Sequence, residues 1–301
     1  MTTIERLASR VLVDAVWHGN RVPVDDDVLA VALRVARRNQ VQGLLARSYP
    51  GELQDVLASV KTATALFRRN LAEATLRLRN AGIRPVLIKA DPDGDYVYTN
   101  FDLVVGDQFE RAVRVLAGWF TRTSRHRLEP DKVLLHPAEG PAAHLHTDVS
   151  WFGIPVVRGG PLAERADETV DGWLVPEPAD ELRIWLAHAA FQNLALDLSE
   201  LIALRRLARP DIVDRARAEA EREGWRGAFD EILRIAQDAI TTLDHGDAPR
   251  LPVPLTTATS LAILREHSRH LLRTGRSATA ARELALRPPL AVVKRMRLSV
   301  S

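Results

Sequence analysis

At 301 residues, with 46% hydrophobic side chains and a formal charge of only +2, the chain has enough apolar material for a sizeable core and is expected to fold as a globular protein of one or two domains. It has no cysteine, so there is no disulfide framework, no thiolate nucleophile and no cysteine-ligated zinc; any metal must be held by His, Asp or Glu. No apolar run approaches about eighteen residues, and the start, Met1 to Arg6, lacks the apolar stretch of a secretion signal, so a cytoplasmic location without a transmembrane segment is expected.

In chain order, Ile4, Leu7, Ala8, Val11, Leu12 and Ala15 follow helical spacing. Asp25, Asp26 and Asp27 place negative charge at the start of a second helix bearing Val28, Ala32, Leu33 and Val35. Tyr49-Pro50-Gly51 breaks the pattern. Leu53 to Asn80 then reads as one long helix, stopped by Gly82. From Ile83 the period becomes that of strands. Pro85 to Ile88 is an apolar strand ending at Lys89, and Val97 to Val105 a second, in which Asn100 and Asp102 share one face and Phe101, Leu103 and Val105 the other. A carboxylate on a half-buried strand is costly unless a cation, a ligand or water receives it.

Gln108 to Trp119 is helical in spacing, and Lys132 to His136 is strand-like. Over Ala142 to Val149, His144, His146 and Asp148 alternate and so are expected on one face, with Leu145, Thr147, Val149 and Trp151 on the other. Beyond Pro176 and Pro178 the chain reads as helical, with a linker at Pro249 to Pro254 and a helix from Ser260 to Arg273. Arg287-Pro288-Pro289 is expected to interrupt any later helix. The expected class is α+β: an N-terminal helical segment (1–80), a small mixed-sheet α/β core (81–178) and a helical C-terminal domain with a basic tail (179–301).

Charge is unevenly spread. Nine basic residues between Arg265 and Arg297 face only Glu266 and Glu283, a net +7 that leaves −5 on the rest. Such a tail could favour acidic partners, although a solvated arginine-rich helix accounts for it as well. Only Lys61, Lys89, Lys132 and Lys294 are lysines among the 41 basic residues, which draws attention to Lys89 at the end of an apolar strand. The six tryptophans are scattered and no nucleic-acid-binding module is recognisable, so nucleic acid is not an expected partner. Asp91-Pro-Asp-Gly-Asp95 has the wrong glycine position for a calcium loop and reads as a solvated turn.

Gly82-Ile83, Pro85-Val-Leu-Ile-Lys89, Asp102-Leu-Val-Val105, His144-Leu-His146 with Ser150-Trp-Phe-Gly153, and Leu186-Ala-His188-Ala-Ala190 together resemble an uncharacterised nucleotidyltransferase family of the DNA polymerase β superfamily. The resemblance covers roughly residues 70 to 240. It implies a nucleotidyltransferase-like core. Family members carry Asp-x-Asp on one strand and a third aspartate on a neighbouring strand, an arrangement that holds divalent cations on a nucleoside triphosphate during in-line attack by a hydroxyl.

Asp102 matches the second aspartate, while Asn100 stands at the first and His144 at the third, followed by His146. Lys89 matches a lysine that could contact phosphate. The implied roles are Asp102 and His144 in catalysis, Lys89 and Asn100 in nucleotide binding, and Asp102, Asn100, His144, His146 and Asp148 as metal ligands for Mg2+ or Mn2+. Two of three carboxylates are absent, and Asp91, Asp93, Asp95 or Asp148 could replace the lost charge. Imidazole changes charge near neutral pH, so His144 could act as base.

Three functions are compatible with these residues. One is transfer of a nucleoside monophosphate from an NTP to a hydroxyl of a small molecule or protein. Another is a catalytically inactive protein of the same fold that binds a ligand or protein partner. The third is a metal hydrolase built on His144-x-His146.

Overall fold

The computed structural model describes residues 2–91, 94–126, 129–151 and 154–300. The first part of the chain forms α1 (Thr3–Val16), α2 (Asp26–Arg38), α3 (Gln42–Ser48) and the long α4 (Gln54–Asn80). Thr2 starts α1 with a reciprocal capping box to Glu5, which satisfies donors that no helical carbonyl can reach. α1 to α3 do not stand apart: their apolar faces join one core with the C-terminal helices. Trp17 Nε1 donates to Asp244 Oδ1 at 2.8 Å, and Leu198 N donates to Oδ1 of the buried Asn39 at 3.0 Å.

The middle of the chain supplies β1 (Val86–Ile88), β2 (Asn100–Val104), α5 (Phe109–Ala117), β3 (Arg122–His126), β4 (Glu129–His136), β5 (Ala142–His146), β6 (Val149–Trp151), β7 (Ile154–Val157), α6 (Gly159–Arg165), β8 (Asp167–Glu168) and β9 (Leu174–Val175). Seven of these strands form a mixed sheet in the order β3-β4-β5-β2-β1-β9-β8, while β6 and β7 pair separately. The protein is therefore α+β. One sheet face, with Leu87, Phe101, Leu103, Ala143 and Leu145, packs on α4 and α5. On the other face Val86, Ile88 and Val104 join the large core of the terminal helices.

The strand following Ala142 is shorter than its alternation suggests. β5 stops at His146, a bend at Thr147 and Asp148 intervenes, and β6 departs into the separate hairpin. Val149 and Trp151 consequently pack in the large core, away from Leu145 on the opposite side. The bend is fixed by Asp148, whose Oδ1 accepts the Gly159 N–H at 2.6 Å. A side chain at Gly159 would bring its Cβ within 2.1 Å of the Thr147 carbonyl, so this approach of α6 requires glycine.

The remainder comprises α7 (Pro178–Ala187), a π-helical stretch over His188–Asn193, β10 (Ala195–Leu196), α8 (Leu198–Leu207), α9 (Pro210–Arg222), α10 (Arg226–Asp244), β11 (Val253–Pro254), α11 (Thr257–Arg273) and α12 (Ser277–Val300). The expected linker thus contains β11, which pairs with β10. The helix α12 runs through Pro288 and Pro289, contrary to the expected interruption. Both prolines, and Leu284 and Ala285 whose carbonyls lose their usual donors, are exposed, so water can receive the freed acceptors. No helix among the described residues is long and apolar enough to cross a membrane.

Candidate functional site

The sheet brings the sequence-derived candidates together by register. β2 lies between β1 and β5, antiparallel to the first and parallel to the second. Asp102 is therefore directly opposite Ile88 on one side and His144 on the other. β2 and β5 are thus adjacent and run parallel. Between them the chain crosses over through α5 and the β3–β4 hairpin, which permits a parallel return. Asp102, His144 and His146 all project from the face opposite Leu103 and Leu145.

Lys89 reaches that face by breaking the alternation. Leu87 and Lys89 would share a side in a regular strand, and Leu87 packs against α4 and α5. Lys89 instead has φ of +56°, a left-handed conformation uncommon outside glycine, and its Nζ lies 3.3 Å from Asp102 Oδ1. The same oxygen is 3.0 Å from His144 Nδ1 and 2.7 Å from His146 Nε2. Asn100 Nδ2 donates to the other oxygen, Oδ2, at 3.1 Å. One carboxylate thus collects four nitrogen partners.

The electrostatics follow from this enclosure. Burial alone would push the Asp102 carboxyl up, but Lys89 and the two imidazoles outweigh it and hold the group well below the usual carboxylate range. His146 is pushed well below its ordinary value, first by burial and then by His144. It is neutral near pH 7, with Nε2–H donated to Asp102. Asn100, which the family resemblance implies as a metal ligand, turns its amide nitrogen toward Asp102 and so acts as a donor there.

Asp102, His144 and His146 form a group that could hold a metal ion, with one ligand atom from each residue lying within 4.8 Å of the others. Asp148, the remaining expected ligand, is outside this group because the bend after β5 commits its carboxylate to Gly159. Among the other acidic alternatives, Asp95 pairs with Arg47, Asp91 lines the same cleft, and Asp93 lies outside the described residues.

The group lies in a cleft of about 1650 Å³ between the sheet and the helices α7 and α8. Several lining residues carry signals that alternation and motif spacing do not express. Lys132 on β4, opposite His146 in register, is buried; its Nζ donates to Glu129 Oε1 at 2.7 Å and to the Ser150 carbonyl. Burial pushes its ammonium down, with Glu129 opposing.

Across the cleft, His188 opens the π-helical stretch and its Nδ1 is 2.8 Å from Glu200 Oε1. Asn193 Nδ2 donates to the same oxygen at 3.1 Å. His188 is half-buried and lines the cleft. Asp197, the N-cap of α8, is pushed up to about 7 by burial and by neighbouring Glu200.

The Asp197-x-x-Glu200 capping box is visible in the sequence, but the π turn that brings His188 against it is not. All three non-glycine residues with positive φ among the described residues, Gln40, Lys89 and Leu194, line this cleft. Left-handed backbone at non-glycine positions and π turns both concentrate at functional sites.

Neither a protein-family model nor a curated protein matches the chain.

Proposed function

We propose that the cleft is a nucleotidyltransferase-like site that binds the phosphates of a nucleoside triphosphate together with one divalent cation. Its proposed reaction is transfer of the nucleoside monophosphate to a hydroxyl of a small molecule or protein. The observation that carries this reading is the meeting of Lys89, Asp102 and His144 within 3.3 Å of a single carboxylate oxygen. These are the residues that the family resemblance assigns to phosphate, metal and base.

The donor set bears on the cation. Magnesium favours several anionic oxygens and retained water, and this group offers one carboxylate and two imidazoles. Two imidazoles in three ligands suit Zn2+ best and favour Mn2+ over Mg2+, which prefers an all-oxygen shell. Asp102, His144 and His146 would hold the ion, which when bound supplies charge neutralisation to a phosphoryl group. Lys89 would bind phosphate oxygen, and His144, whose one imidazole lone pair the ion would take, would serve as its ligand and not also as base.

A second reading, a protein of the same fold that binds its ligand without turnover, is favoured by one observation. Asn100 occupies the first aspartate position and uses its amide as a donor to Asp102, so the site has a single carboxylate where the reaction ordinarily uses three. Calorimetric titration with each of the four nucleoside triphosphates plus Mn2+ checks the shared premise of both readings. Saturable binding of at least one nucleotide, lost in Lys89→Ala, is expected. No heat of binding from any nucleotide rules both out. Labelled triphosphate then separates them, since turnover abolished in Asp102→Ala is expected only of the enzyme.

A further inference from the structure

The arrangement around Asp102 contains its own counter-ion. The Lys89 ammonium sits 3.3 Å from Oδ1, the oxygen that His144 and His146 also approach. A divalent cation shared by this carboxylate and the two imidazoles must use the same space. An ammonium and a dication that close repel each other strongly, because little water is there to screen them. Asp102 and Lys89 have side chains only 10% and 11% exposed. A second ammonium, that of buried Lys132, lies on the neighbouring strand and is paired to Glu129. Lys89 and the cation therefore exclude each other at Asp102.

Lys89 also has the means to leave. It follows the last residue of β1 and holds a left-handed backbone, a conformation that costs free energy unless its surroundings fix it. Its long side chain ends in the cleft, where a phosphoryl dianion is a stronger partner for an ammonium than a carboxylate already hydrogen-bonded by three other groups.

We infer that Asp102, His144 and His146 are a latent site for one divalent cation, Zn2+ or Mn2+ rather than Mg2+, which Lys89 keeps shut until a phosphoryl group draws its ammonium away. The inference rests on the cleft being a phosphate and cation site. It adds an order: the anion opens the cation site, and by linkage the cation tightens the anion by the same factor.

The test uses the full chain, stripped of metal, and titrates Mn2+ and, in a separate series, Zn2+, each without nucleotide, into wild type, Lys89→Met and Lys89→Gln. Lys89→Met is expected to bind one Mn2+ per chain at least ten-fold tighter than wild type, and Lys89→Gln to gain as well. The gain is expected to vanish in Lys89→Met/His144→Ala, and Mg2+ to bind none of these proteins measurably. Excess sulfate, a soluble stand-in for a phosphoryl dianion, is expected to tighten Mn2+ on wild type and leave Lys89→Met unchanged. Melting curves confirm that each variant is folded, and Lys89→Arg, which keeps the charge, is expected to gain nothing.

Wild type binding Mn2+ as tightly as Lys89→Met and Lys89→Gln would overturn the exclusion while leaving the cation site in place. Equal Mn2+ affinity of wild type with and without sulfate would overturn the opening by an anion. Absence of Mn2+ and Zn2+ binding in every protein would remove the cation site, and with it this inference and the proposed cation dependence together.

Discussion

Replacement of Asp102 by alanine is expected to abolish ligand binding in the cleft and to destabilise the fold by about 3 kcal/mol, the order expected when one partner of a buried ion pair is removed. The cost has an identifiable origin. Asp102 is 7% exposed and accepts from or neutralises Lys89, His144, His146 and Asn100. Without it the Lys89 ammonium stays in a low-dielectric wall with its partner gone, and the His146 ring loses its one hydrogen bond among the described residues.

Urea denaturation reads the stability change, and its pH dependence separates charge from packing. The Asp102 carboxyl titrates well below its ordinary range in the fold. Its contribution is therefore complete above the unfolded value of about 3.9 and is lost as pH falls toward the folded value. His146 is likewise depressed, so its contribution is complete above about 6.5 and declines as pH falls below that. Asp102→Ala is expected to lose the acid-side dependence that belongs to Asp102, and a loss of stability equal at pH 7 and pH 3 would place the effect in packing alone.

The largest loss of stability outside the cleft is expected for Asp180→Ala. Asp180 and Arg183 are 1% and 2% exposed and bonded to each other within the first turns of α7. Arg165 from α6 adds contacts to both Asp180 oxygens, at 3.1 Å to Oδ1 and 2.8 Å to Oδ2. Arg183 also reaches the Val156 carbonyl of β7. One carboxylate thus ties α6, α7 and β7 together.

Its removal leaves the Arg183 guanidinium buried without its bonded carboxylate, at a cost of about 3–5 kcal/mol. The double variant Asp180→Leu/Arg183→Met is expected to recover most of that loss, because replacing both partners by apolar groups removes the desolvated charge. Thermal melts of the single and double variants check this; a double variant as unstable as the single would show that the pair contributes through something other than charge.

How far the fold could be read from sequence depended on which interactions are local. The long α4 and the change of period at Ile83 are properties of consecutive residues, and both elements stand within one or two residues of their expected limits. The alternation of Asn100 and Asp102 against Phe101 and Leu103 also holds, since a strand offers only two faces. It failed at Asp148 because one distant contact, from Gly159, bends the chain after β5.

Direction of pairing between β2 and β5 depends on the crossover and not on either strand, so alternation could not supply it. The candidate site was legible where a residue's own type marked it: Lys89, Asp102, His144 and His146. The opposite wall was not, since His188 acquires its place through a π turn and through Glu200, twelve residues away. The left-handed conformations of Gln40, Lys89 and Leu194 likewise have no signature in residue type, as none is glycine.

The most direct test of the proposed cleft is a crystal structure of the chain grown with Mn2+ and a non-hydrolysable nucleoside triphosphate, with anomalous data collected to locate manganese. One manganese peak bounded by Asp102, His144 and His146, phosphate density on Lys89, and a Lys89 ammonium moved off Asp102 are the expected result. Manganese elsewhere, with Lys89 still on Asp102 and no nucleotide between the sheet and α7 and α8, would contradict it.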